Sequence, residues 1–177
     1  RGGLLGTTPV ICGGWVAIGS GNSLSDECIL YGTTQVVNMN SINNYHVSVG
    51  LNSSMIWILG GHRNGSDVLD TTEFITVNGA VNGPTLPEAV SQSCAVKFPD
   101  SGDVYLIGGW TSSGLTNKVW VANPSNEYAS FNQGPSMMTG RKLHGCSTMS
   151  IGTKSIIVTA GGSNGGYLAS VEILDPL

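Results

Sequence analysis

Charge is scarce in this chain. Only 10% of its 177 residues are Asp, Glu, Lys or Arg, against about 25% in an ordinary soluble domain. Solubility has to come instead from Asn, Ser, Thr and Gly. The net charge is −4 and the seven Lys and Arg are scattered, so no basic stripe exists to hold nucleic acid or an anionic lipid surface. Long apolar runs are also missing, and none approaches the ~20 residues that a membrane span requires. No secretory leader stands at the amino end, as expected of a piece cut from a longer polypeptide. Metal-site spacing is absent too: there is no Cys-x-x-Cys, and His46, His62 and His144 are dispersed. No G-x-x-x-x-G-K-[ST] or G-x-G-x-x-G lies between a strand and a helix, which excludes a phosphate cradle. Carboxylates fall singly, so the facing pair of a glycosidase is not visible.

What the chain does have is glycine, in a pattern. Adjacent pairs recur at Gly13-Gly14, Gly60-Gly61, Gly108-Gly109 and Gly161-Gly162. The first members are spaced 60−13=47, 108−60=48 and 161−108=53 residues apart, and a strand-borne period near ~50 marks a repeat protein of propeller type. Each pair closes a short β-branched, aromatic or aliphatic run, at 9–12, 55–59, 104–107 and 156–160, too short for a buried helix. We read these as the second strand, b, of a four-stranded unit. A third strand, c, follows at 27–31, 72–76, 118–122 and 170–174, and a first strand, a, precedes b at 46–49, 94–97 and 146–149. The expectation is an all-β chain of about four repeats, approximately 1–40, 41–88, 89–140 and 141–177, forming one partial propeller domain. On this count the first repeat lacks its strand a and the last lacks its strand d, leaving two complete units and two partial ones.

These features resemble the Kelch-repeat superfamily. The likeness rests on the glycine pairs, the apolar run into each, the Arg-x-x-His at Arg141 and His144, and Leu-Asp-Pro at 174–176. It covers essentially the whole chain. Arg-x-x-His occurs once, and Phe131 stands near the position where such repeats usually carry a tryptophan. The resemblance implies four-stranded antiparallel blades, His144 in a structural role, and a ring completed by further chain or other copies, since an open arc exposes edge strands. It also implies three classes of function. One is a non-catalytic propeller for protein or glycan interaction or structural assembly. The others are an intracellular substrate adaptor and the propeller of a secreted oxidase similar to galactose oxidase. No copper constellation of His, Tyr and Cys can be placed in this sequence, so no catalytic residue, metal or cofactor is assigned.

The remaining signals point to binding outside the cell. Two Asn-x-Ser sequons, at Asn52 and Asn64, fall on expected turns where a glycan can project. Cys12 and Cys28 sit opposite each other across a b–c hairpin centred near Ser20, which allows a disulfide. Cys94 and Cys146 occupy the same place in two successive a strands, and are expected as buried thiols. Residues just after the glycine pairs vary while the framework repeats, the usual way a repeat scaffold builds a contact face. In an a-b-c-d repeat the b–c and d–a turns leave on one side. Trp15, His62, Arg63 and Trp110 therefore join the d–a segments around Pro87-Glu88 and Gly140-Arg141, and Trp15, His62, Arg63, Trp110 and Arg141 are the expected partner contacts.

Overall fold

The structure is a computed structural model describing residues 1–18, 21–64 and 67–176. The chain divides into two compact units, Arg1–Ser91 and Gln92–Leu177. Both are built of antiparallel sheets, and no α-helix occurs among the described residues. The one helical element is a 3-10 turn at Pro124–Asn126, capped by the Asn123 side chain.

The first unit holds two four-stranded sheets. One contains β1 (Gly2–Leu5), β2 (Thr8–Ile18), β3 (Gly21–Leu30) and β4 (Val36–Asn38) in spatial order. Strand β1 corrects the expectation that the first repeat lacks its first strand: Gly2 to Leu5 pair with Ile11 to Thr8. Gly2-Gly3-Leu4-Leu5 carries no β-branched residue, so propensity alone does not mark it as a strand. The second sheet contains β5 (Val47–Asn52) and β6 (Met55–Leu59), then β9 (Thr72–Thr76) and β10 (Gly79–Asn82). Between β6 and β9 lies a small ribbon, β7 (His62–Arg63) with β8 (Asp67–Val68). Alternation sets the faces. In β2, Val10 and Cys12 point inward while Ile11 is exposed, as a period of two requires. The inward set meets Ile56, Ile58 and Ile75 of the second sheet, with Leu5, Leu30, Val37 and Met39, to form one apolar core.

The second unit holds β11 (Cys94–Lys97), β12 (Val104–Thr111), β13 (Gly114–Ala122) and β14 (Phe131–Gln133), and a three-stranded sheet of β15 (Gly145–Ile151), β16 (Lys154–Ala160) and β17 (Val171–Leu174). Phe98, Tyr105, Ile107, Val119, Met137 and Ile157 form its core. Beside β17 opens a cavity of about 320 Å³ walled by Ile107, Val119, Met137, Thr159 and Leu174. In the other three sheets the corresponding outer edge is covered by β4, β10 or β14.

The glycine pairs do two different things. Strands β6 and β16 stop just before theirs, as expected, whereas β2 and β12 run through Gly13-Gly14 and Gly108-Gly109 with register shifts at Cys12/Gly14 and Ile107/Gly109. A pair of residues at positive φ, 58° and 99° in the first case and 56° and 116° in the second, lets the strand bulge and resume pairing.

Two disulfides are present. Cys12 and Cys28 are register partners in β2 and β3, with Cα atoms 4.0 Å apart; the hairpin tip near Ser20 lies outside the described residues. Cys94 and Cys146 are also joined, correcting their reading as free thiols. They lie on β11 and β15, first strands of neighbouring sheets, and equivalent positions there come side by side with Cα atoms 6.0 Å apart, within bridging distance. Sequence periodicity reports position within a sheet but not the distance between sheets.

Candidate functional site

A single three-part arrangement, a joint, recurs along the chain after the first three glycine pairs. Its first part is a hydrogen bond from the second glycine of each of those three pairs. Gly14 N–H donates to Asn43 O (2.9 Å), Gly61 N–H to Val90 O (2.9 Å) and Gly109 N–H to Arg141 O (2.8 Å). The second is a buried group three residues beyond the acceptor: His46, Ser93 and His144. Between them stands a residue in the left-handed region, Tyr45, Gln92 or Leu143, with φ of 52°, 55° and 56°. The third is an apolar residue four before the acceptor, Met39, Leu86 or Met137, whose N–H donates to Asp26, Asp70 or Asn117 of the preceding sheet (2.6, 2.7 and 2.8 Å).

The joint explains Arg141 and removes it from the contact set. Its side chain is 0% exposed. Nη1 donates to Gly161 O (3.0 Å) and Ser170 O (3.1 Å), and Nη2 donates to Ser170 Oγ (3.0 Å) and Glu172 Oε1 (2.5 Å). Every one of these partners lies inside the second unit, so the guanidinium is spent on the framework. Asn43 does the same work in the first unit with an amide. Its Nδ2 donates to Gly60 O (2.8 Å) and its Oδ1 accepts from His62 N–H (3.1 Å). Asn43-x-x-His46 is thus the structural counterpart of Arg141-x-x-His144, a kinship that a motif search for arginine misses.

Glu73 and Glu172 fasten neighbouring sheets in a shared manner. Glu73 Oε2 accepts from Asn40 N–H (2.7 Å), and Glu172 accepts from Met138 N–H (2.6 Å) and Thr139 N–H (3.1 Å). Burial pushes the Glu73 carboxyl up, against the opposing pull of the Asn40 and Ser41 N–H groups. Burial also acts upward on Glu172, but the Met138 N–H, the Arg141 guanidinium and the Thr139 N–H outweigh it and hold that carboxyl below its usual range.

Both buried histidines are neutral. Burial, followed by the cationic groups of Arg1, lowers His46 to about 3. Burial, followed by Arg141, lowers His144 to about 4, with the Ile107 carbonyl and Glu172 opposing. A histidine whose folded pKa lies below its ordinary value of 6.5 takes up a proton more readily when unfolded, so its contribution is complete above that value and is lost as pH falls. The unfolding midpoint should therefore drop steadily between about pH 6.5 and pH 4, and His144→Asn should flatten the slope in that window. Equal slopes for the variant and the parent would show that His144 does not set the acid limit.

On this framework sit the variable side chains. In the first unit the Trp15 indole is 61% exposed, and its Nε1 donates to the Asn44 side-chain oxygen (2.9 Å) while the Asn44 amide nitrogen donates to His62 O (2.9 Å). Asn44 and His62 also exchange backbone hydrogen bonds (3.0 and 2.7 Å). Tyr45 meets the His62 ring edge-on at 6.3 Å, and Arg63 faces Asp67 at 3.8 Å. In the second unit the equivalent residues are Trp110, Lys142 and Ser163. Lys142 Nζ stands 4.5 Å from the centroid of the Trp110 ring, and Lys142 and Ser163 exchange the same two backbone bonds (3.0 and 2.9 Å). The structure therefore brings Trp15, His62 and Arg63 together in one unit and places Trp110 in the corresponding setting of the other. Asn44, Tyr45 and Lys142 complete these clusters and were not anticipated, because they lie in polar connecting segments without periodicity.

Of the two sequon asparagines, Asn52 is exposed at the end of β5, its Oδ1 accepting from Ser54 N–H and Ser54 Oγ–H (2.8 Å each). Asn64 is exposed as well, while Gly65 and Ser66 of its sequon lie outside the described residues. No helix among the described residues is long and apolar enough to cross a membrane. The two disulfides are compatible with an oxidising, extracellular setting.

The fold and these clusters define an all-β protein of repeated antiparallel sheets. Compared with known proteins, the chain matches no family model and no curated sequence.

Proposed function

We propose that the chain is a non-catalytic Kelch-type binding module acting outside the cell, with its contact surface on the residues that follow the glycine pairs and on the segments that close over them. One observation carries this reading: the joint is the same in both units, yet the side chains it presents differ, Trp15 with Asn44 and Tyr45 in one and Trp110 with Lys142 and Leu143 in the other. A fixed scaffold presenting variable aromatic and polar tips suits recognition. The buried, neutral state of His46 and His144 supports a framework role for both. The two disulfides, the low charge and the exposed Asn52 support secretion, with Asn52 and Asn64 as glycan acceptors. The remainder of a closed ring is supplied by further chain or other copies.

The test applies labelled chain to intact cell surfaces and extracellular matrix. The Trp15→Ala/Trp110→Ala variant should retain the parent's melting temperature within a few degrees and lose roughly tenfold in retention, since truncating an interface aromatic costs about 1–2 kcal/mol or more. Equal retention of parent and variant would overturn the assignment of the surface.

A further inference from the structure

The first-unit cluster is built more narrowly than a protein-binding patch. Two rings are exposed there, Trp15 at 61% and Tyr45 at 49%. Trp15 is pinned by its Nε1 bond to Asn44, and Tyr45 stands on a backbone at φ 52° that repeats at Gln92 and Leu143, its ring against the edge of His62. The left-handed conformation is thus part of the framework, and the tyrosine is what this repeat adds to it. Preset rings lose little freedom when a ligand stacks on them. Because the indole N–H is already committed to Asn44, the ring offers a partner its face rather than a donor.

Hydrogen-bonding groups lie beside the rings. His62 Nε2 and Arg63 Nε are buried without a hydrogen-bond partner among the described residues, in a ribbon whose His62 ring Tyr45 meets edge-on, so the polar groups open to a ligand are the outer Arg63 guanidinium nitrogens and the Asp67 carboxylate. The next residue, Arg63, is 41% exposed, and its charge is balanced by Asp67 at 3.8 Å. A pair of opposite charges leaves no net field to select an anion or a cation, while still offering donors and acceptors. A protein partner that binds stably covers about 800 Å² per side around an apolar centre. Here the rings touch Asn44 and His62 instead, and the Arg63–Asp67 pair follows on the same ribbon as His62. A compact site of flat apolar faces edged by convergent polar groups fits a small amphipathic ring.

Building on the binding role stated above, we propose that Trp15, Tyr45, Arg63 and Asp67 form a carbohydrate subsite that takes a neutral pyranose, its C–H face stacked on the indole and its hydroxyls reaching the exposed Arg63 guanidinium and Asp67 carboxylate. The second unit, with Lys142 over Trp110, lacks this arrangement.

The test titrates the whole chain with a panel of neutral methyl pyranosides and their β-linked disaccharides, followed by tryptophan fluorescence and calorimetry. Saturable binding of at least one member is expected. Trp15→Ala should weaken it tenfold or more, Trp15→Phe by less, and Tyr31→Ala, an exposed ring at the opposite end of the β2–β3 hairpin, not at all. Near-ultraviolet circular dichroism and the melting temperature verify that each variant is folded. No saturable binding across the panel, or binding indifferent to both Trp15→Ala and Tyr45→Ala, overturns the proposal. Enzymatic deglycosylation of the cell surfaces separates this result from the broader reading. Loss of retention after deglycosylation supports the sugar subsite. Retention that survives deglycosylation but not proteolysis of the surface leaves the binding role standing and refutes the carbohydrate.

Discussion

Gly60→Ala should lower the stability of the protein by about 3 kcal/mol or more, a large fraction of the 5–15 kcal/mol that holds a typical domain together. Two costs add. The residue sits at φ +57°, where a Cβ is strained, and that Cβ would overlap the carbonyl oxygen of Val90, which cannot withdraw because it accepts the Gly61 N–H at 2.9 Å. Gly108→Ala is close behind, since its Cβ would stand 2.6 Å from Met137 Cε and 2.9 Å from Arg141 O. The thioether can swing aside, whereas the carbonyl is bonded to Gly109. Gly152 supplies the comparison: its φ is +64°, yet an added Cβ meets nothing within 4 Å. Gly152→Ala should therefore cost only about 1 kcal/mol, the backbone part alone. Urea unfolding of the three variants measures the difference directly. If Gly60→Ala and Gly152→Ala shift the midpoint equally, close approach of the Val90 segment is not what the first glycine provides.

That contrast also shows what can be seen in a one-dimensional pattern. The four glycine pairs and the b, c and a strands around them are legible because β-branched and aromatic runs bounded by glycine are local signals. Strand β1 escapes notice because Gly2-Gly3-Leu4-Leu5 becomes a strand only through pairing with Thr8 to Ile11. The continuation of β2 and β12 through their glycine pairs is hidden for a related reason, as a bulge with resumed pairing depends on the partner strand. The site follows the same rule. Trp15, His62 and Trp110 are found from their place after a glycine pair, a local cue. Asn44 and Lys142 are not, since their role is fixed by residues on other sheets. Arg141 looks like a surface cation from its neighbours in sequence, but it is buried because its acceptors lie 20 to 31 residues further along the chain.

Removing that guanidinium is the other change with a large expected effect. Arg141→Met deletes all four of its donations, leaving the Gly161 and Ser170 carbonyls short of partners and Glu172 without its cation. Because Arg141 is fully buried while Glu172 is partly exposed and keeps two N–H donors, the cost should fall near the lower end of the about 3–5 kcal/mol of a fully buried pair broken from one side, with the unpaired carbonyls adding to the stranded charge. Arg141→Lys should recover only part of this, because one ammonium cannot span Gly161 O, Ser170 and Glu172 Oε1 as a planar fork does. Glu172→Gln should cost less than Arg141→Met, since an amide oxygen still accepts from Met138 or Thr139 N–H. The double variant Arg141→Met/Glu172→Gln should be less destabilised than the sum of the two, as the stranded carboxylate is then gone. Acid gives an independent reading of the same contact. The Glu172 carboxyl is held below its ordinary range, so it adds stability above that range and loses it as pH falls through the folded value. In Arg141→Met part of that depression disappears, and the acid-side slope of the unfolding midpoint should shallow. Additive costs in the double variant, with an unchanged acid slope, would mean that Arg141 stabilises the joint by packing alone.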